Sequence, residues 1–167
     1  METSELLIDI FGRARQLYVE TAQELDLEAA HRRPDGAGNP VVWLLWHTAR
    51  VQDDHVAGLS GGQQAWHVGW SERFGLPFEA GDIGYGHTSE DVDAVRVERM
   101  DDLVDYHEAV HQLTLEYLER LDAAELDRVV DNRWDPPVTA GVRLVSLLAD
   151  CLQHLGQAGY VKGLPGN

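Results

Sequence analysis

Residues 144–160 read LVSLLADCLQHLGQAGY, an apolar stripe broken by Asp150 and, one helical turn later, by His154. From near Thr139 to about Val161 the apolar residues Val142, Leu144, Val145, Leu148, Cys151, Leu152, Leu155 and Ala158 recur with the period of an amphipathic helix. Pro136 and Pro137 precede this helix, and Gly163 and Pro165 end it. A helix with one apolar stripe must bury it against other elements. The fold therefore depends on what else in the chain carries a matching stripe.

Three more segments do. From about Asp101, the residues Leu103, Tyr106, Val110, Leu113, Tyr117 and Leu121 alternate at intervals of three and four, which predicts a helix. Asn39-Pro40 reads as an N-cap followed by proline at the first helical position, opening a helix through VVWLLWHTARVQDDHVAGL that stops near Gly58 or Gly61. Between Ser4, a candidate N-cap, and Leu25 lies the remaining helical pattern. No segment alternates with period two. The expectation is an all-α chain, a single domain over residues 1–167, built as an antiparallel four-helix bundle with a long connection between helices two and three. That connection, residues 59–100, is glycine-rich and contains Trp66, Trp70, Phe74 and Phe78. Its aromatics predict a crossover packed against one side or one end of the bundle.

Charge and composition narrow the function. Thirteen Lys and Arg stand against 29 Asp and Glu, a formal net charge of -16, which repels nucleic-acid phosphates and anionic lipid. No stretch approaches the roughly 20 apolar residues of a membrane span, and the N-terminus lacks a signal-peptide pattern. The single cysteine, Cys151, lies in an apolar run and predicts a packed, reduced thiol. Cytoplasmic location, a small-molecule substrate, and neither nucleic acid nor membrane as partner are expected.

On a helix, Asp150 and His154 project from neighbouring positions of one face, at the edge of the apolar arc, close enough to share a metal. The third ligand has to come from another helix, and His47, set among apolar and aromatic residues in WLLWHTAR, is the candidate. Two imidazoles and a carboxylate suit a divalent ion, zinc first, with nickel or iron(II) as options. The alternative is an ordinary Asp–His hydrogen bond. A rival motif is HEAVH at residues 107–111, which matches the H-E-x-x-H zinc-protease pattern. No strands flank it and no third ligand follows, Glu125 being one acid among many, so His107 and His111 read as partly exposed helix histidines. Arg50 and Asp54 read as an i,i+4 salt bridge, Trp43 and Trp46 as core, and His67 and His87 as solvent-exposed residues of the connection.

The segments NPVVWLLWHTARVQDDH and LLADCLQHLGQAGYV resemble the DinB superfamily of four-helix proteins, especially its actinobacterial branch near the N-terminal domain of the mycothiol-dependent maleylpyruvate isomerases. The resemblance covers nearly the whole chain in helix order. Many members carry a histidine on helix two and an H-x-x-x-H pair opening HRGQ on helix four. Here His47 matches the former and HLGQ places His154 at the second histidine of the pair, with Asp150 where the first would stand. A carboxylate at that position is what the isomerase branch resembles, which has a His, Glu, His zinc set. The resemblance implies a metal held by His47, Asp150 and His154, which would bind and deprotonate a low-molecular-weight thiol such as mycothiol for addition to an electrophile, as an S-transferase or isomerase. Arg50 or Gln157 would orient substrate or brace a ligand. A metal-dependent hydrolase and a helical binding or dimerisation module without metal remain the alternatives, and the acidic surface with its tryptophan-rich connection leaves room for a homodimer.

Overall fold

A computed structural model of the chain describes residues 2–23 and 25–164. Among the described residues, eight α-helices occur in the order α1 (Thr3–Ala22), α2 (Leu27–His31), α3 (Val41–Ser60), α4 (Trp70–Phe74), α5 (Ser89–Ala94), α6 (Met100–Leu118), α7 (Ala123–Asp127) and α8 (Ala140–Lys162). The four long ones, α1, α3, α6 and α8, are the four patterns read above, and the protein is mostly helical, as expected. Their ends differ in detail. The cap of α1 is a capping box between Glu2 and Glu5, so Ser4 lies within the first turn, and the helix stops at Ala22. Pro40, not Asn39, caps α3. Thr139 caps α8 by accepting a hydrogen bond from the Val142 amide, and Gly163 ends it. Pro165 lies outside the described residues. A two-stranded ladder pairs β1 (Val129–Asp131) with β2 (Val138–Thr139) ahead of α8. These strands are too short to display a period in the sequence.

The long helices pack in a ring, α1 beside α8, α8 beside α3, α3 beside α6 and α6 beside α1. Side-chain bonds fix their directions. The Tyr18 hydroxyl lies 3.2 Å from the carbonyls of Leu45 and Leu103, which puts the end of α1 beside the starts of α3 and α6. Gln52 donates to Thr114 at 2.8 Å, so α3 and α6 run the same way. Lys162 donates to the Glu20 carbonyl at 2.7 Å, which makes α8 parallel to α1. The all-antiparallel expectation is thus corrected: parallel neighbours cannot be joined by a tight turn, so the chain between α3 and α6 has to travel back the length of the bundle.

That crossover explains a second feature. Every residue from Val41 to Asp53 is buried, although a bundle helix usually keeps one wet face. The crossover covers the outer face of α3, with Trp66 buried and Trp70, Phe74 and Phe78 packed on the core. Its attachment is polar as well as apolar. Asp53 accepts from the amides of Ala65 and Trp66, each at 2.8 Å, and from the Tyr106 hydroxyl at 2.8 Å. Arg50, fully buried, donates to the carbonyls of Asp82 and Ala80, to the Gln64 side chain and to Tyr106, while its guanidinium lies over the Trp66 ring. Its charge partner is Asp53 at 3.5 Å, one position nearer than the predicted Asp54. Asp54 instead accepts from Gln64. Arg50 therefore pins the crossover and does not reach outward to a substrate.

Candidate metal centre

Antiparallel packing of α3 on α8 brings His47 opposite Asp150 and His154. One ligand atom from each of the three lies within 4.8 Å of the others, and among the described residues no other group of three or more His, Cys, Asp or Glu converges in this way. The rings of His47 and His154 meet edge to face with centroids 4.7 Å apart. Each imidazole has its second nitrogen committed. His47 Nδ1 donates to the Ile83 carbonyl of the crossover, and His154 Nδ1 donates to Gln157 Oε1 at 2.9 Å. In the neutral tautomer that each bond selects, Nε2 is the lone-pair atom, the arrangement in which an outer partner orients a metal-binding histidine. Burial pushes the His47 pKa down, which favours the neutral, metal-binding form, and the Ile83 bond opposes this only partly.

Asp150 supplies the test of fit. Its Oδ1 lies 3.6 Å from His154 Nε2, longer than a hydrogen bond, and its Oδ2 is buried without any hydrogen-bond partner. A buried carboxylate oxygen with no donor is costly, and an ion between the three side chains would satisfy it. The donor set and the orphaned oxygen both fit a divalent cation. With 41% of the Asp150 side chain and 19% of the His154 side chain accessible to solvent, the centre opens on the α8 side. The opposite side is closed by Trp43, which stacks on His47 at 4.7 Å with the planes 15° apart.

The crossover contributes more than cover. Gly84 sits at φ +91°, and a Cβ there would lie 2.7 Å from His47 Nδ1 and 3.0 Å from the Trp46 ring. Only glycine lets the turn approach this closely. His87, expected to face solvent, is wedged in the same turn with a side chain 5% exposed, whereas His67 is exposed as expected. The glycines of DIGYGH (82–87) signal a tight turn in the sequence. Nothing in that signal tells which helix the turn rests on.

The HEAVH segment lies elsewhere, on the face of α6 that packs against α1. His107 and His111 are 2% and 6% exposed, so the expectation of partly exposed histidines is corrected. His107 stacks on Tyr18 at 3.9 Å, and Glu108 is held by Arg15 and Gln112 rather than free to act as a base. Burial, aided by the nearby His111 and Arg15, pushes the His107 pKa down to about 3. The sign follows directly. An unfolded histidine takes up its proton near pH 6.5 while folded His107 does not, so the stability present above that pH is lost progressively as pH falls toward 3. We expect His107 to account for a loss of about 2 kcal/mol between pH 6.5 and 5, at roughly 1.4 kcal/mol per pH unit. Urea unfolding of His107→Phe, which keeps the ring on Tyr18, should show a correspondingly flatter pH dependence. An unchanged slope in that variant would refute the assignment. Cys151 is buried, and burial with the neighbouring Asp150 carboxylate pushes its thiol pKa up, which argues against a nucleophilic role.

Among the described residues, no helix is long and apolar enough to cross a membrane. A family model described as the DinB superfamily matches residues 10–158. A solved structure, titled as a conserved protein of locus from Enterococcus faecalis, superimposes with a TM-score of 0.89 at 35% identity, covering 97% of this chain and 96% of that one. No curated protein matches the chain.

Proposed function

The chain belongs to the DinB superfamily, and from that premise we propose that it is a divalent-metal-dependent enzyme, with His47, Asp150 and His154 as ligands and a low-molecular-weight thiol as the nucleophile it delivers to a small electrophilic substrate. The observation that carries this reading is the convergence of three ligand atoms within 4.8 Å around a carboxylate oxygen that has no other partner. Zinc suits the two-nitrogen, one-oxygen set, with nickel and iron(II) as options. A divalent ion held by these three residues would supply the Lewis acidity that lowers the pKa of a bound thiol.

The remaining contributions come from the chain. Because Asp150 brings the only negative charge among the three ligands, the loaded site stays cationic and favours an anionic sulfur. Gln157 holds the ring of His154, and Ile83 holds that of His47. The solvent-accessible edges of Asp150 and His154 leave the α8 side as the route of approach. The carboxylate at position 150 favours the branch near the mycothiol-dependent isomerases, so mycothiol is the first thiol to test, and S-transfer or isomerisation the first reaction.

Two measurements decide it. Protein purified without chelators should contain stoichiometric metal. The loaded protein should turn over a bimane electrophile only when a thiol is present, with a preference among thiols. Turnover that ignores thiol identity and presence would point to hydrolysis instead. Failure of zinc, nickel and iron(II) alike to bind or to raise the melting temperature would leave a helical module without a metal centre.

A further inference from the structure

The crossover turn at residues 82–87 carries a hydrogen-bonded relay that ends on Trp43, whose indole stacks on His47. Trp43 Nε1 donates to His87 Nδ1 at 3.1 Å, and His87 Nε2 in turn donates to Asp82 Oδ1 at 3.0 Å. The same Asp82 oxygen accepts from the Gly84 amide at 2.7 Å, and the Asp82 carbonyl accepts from buried Arg50 at 3.1 Å. The ring of His87 is held between Trp46 at 5.7 Å and Phe78 at 4.7 Å. It has no freedom to turn away. The indole of Trp43, fixed in plane by that acceptor, lies flat on His47 and edge-on to His154 at 6.3 Å.

Resting on the metal-centre reading above, we propose that His87 is a positioning residue for the metal: through the N–H of Trp43 it sets the plane of the His47 ring, and so the aim of Nε2 at the ion. The hydrogen bond from His47 Nδ1 to the Ile83 carbonyl fixes the tautomer, and the ring plane can still rotate about that bond within its packing. A stacked indole removes this rotation only if the indole is itself fixed. The acceptor nitrogen of His87 fixes it, and Asp82 keeps the proton on the other nitrogen so that Nδ1 remains an acceptor. Outer partners of this kind contribute to affinity without touching the ion.

The test is a double-mutant cycle on the intact chain, read as zinc affinity in competition with a chelator and as the visible d–d spectrum of the cobalt(II) form. His87→Phe fills the same slot between Trp46 and Phe78 without an acceptor, and Trp43→Phe keeps a stacking ring without a donor. Each is expected to weaken zinc binding about 10-fold and to change the cobalt(II) bands, and the double variant should also lose about 10-fold, not 100-fold, because both remove one linkage. His87→Gln, which can accept from Trp43 and donate to Asp82, should recover most of the affinity. Either single variant binding zinc like the parent, or losses that multiply in the double variant, overturns the proposal while the metal centre stands. A parent protein that binds neither zinc nor cobalt(II) overturns both. A role confined to packing would lower the melting temperature of the metal-free variants and leave the affinity of the folded protein and the cobalt(II) bands unmoved.

Discussion

Arg50→Ala is expected to destabilise the protein by about 3–5 kcal/mol, the cost of leaving one member of a buried ion pair uncompensated. Arg50 is 0% exposed, and its donors reach two carbonyls of the crossover, a glutamine and a tyrosine, so truncation orphans acceptors as well as Asp53. Asp53 keeps its two backbone amides and Tyr106, which limits the loss to that range rather than the full cost of an isolated charge. Arg50→Lys retains the charge but not the planar fork, and should fall between the parent and the alanine variant. Urea unfolding gives the magnitude, and limited proteolysis within residues 61–87 should show where the loosening occurs. A loss below about 1 kcal/mol would mean that the aromatic residues and the Asp53 bonds to the Ala65 and Trp66 amides hold the crossover without Arg50.

Asp150→Asn carries the other large effect, on metal rather than on the bare fold. In the metal-free protein the substitution should be neutral or slightly stabilising, because it removes a charge whose Oδ2 has no partner and breaks no hydrogen bond. With metal the expectation reverses. Ligand at 100 times its dissociation constant stabilises by about 2.7 kcal/mol, which for a chain of this size raises the melting temperature by roughly 5–10 °C. The asparagine variant should lose that rise at the same metal concentration, its affinity falling by about 100-fold or more. Thermal melts of both proteins, each with and without zinc, contain the whole comparison. An equal rise in the variant would remove Asp150 from the ligand set.

Legibility in the sequence tracked periodicity. The long helices were readable because each buries a continuous stripe, and Asp150 with His154 stood out because they interrupt one. His47 could be paired with them only on the assumption that α3 and α8 are neighbours, which the fold supplies. The directions of the helices were not readable, since a stripe is the same read up or down; the parallel run of α3 and α6 shows only in pairs such as Gln52 with Thr114. His107 and His111 misled because they flank a stripe whose width depends on the close approach of α1 through Tyr18. Asp53 was passed over for Asp54 because i,i+4 spacing is the commoner pairing on a free helix surface, and α3 has no free surface there. The turn at 82–87 escaped altogether. Its effect on His47 runs through the Ile83 carbonyl and the close approach of Gly84, and the sequence shows the glycine without showing which helix it rests on.

The long crossover required by the parallel α3 and α6 also separates the proposed ligands along the chain as it is synthesised. His47 lies early in the chain, Ile83 arrives with the crossover, and Asp150 and His154 come with the last helix, so a chain still being synthesised cannot hold an ion with all three ligands. The proposed centre is complete only once α8 has joined α3, the helix that carries His47. If the proposed centre holds a metal, selection among ions waits until all three ligands are present. An unfinished chain offers passing copper or nickel histidines such as His47, His107 and His111, but not the carboxylate of the proposed set.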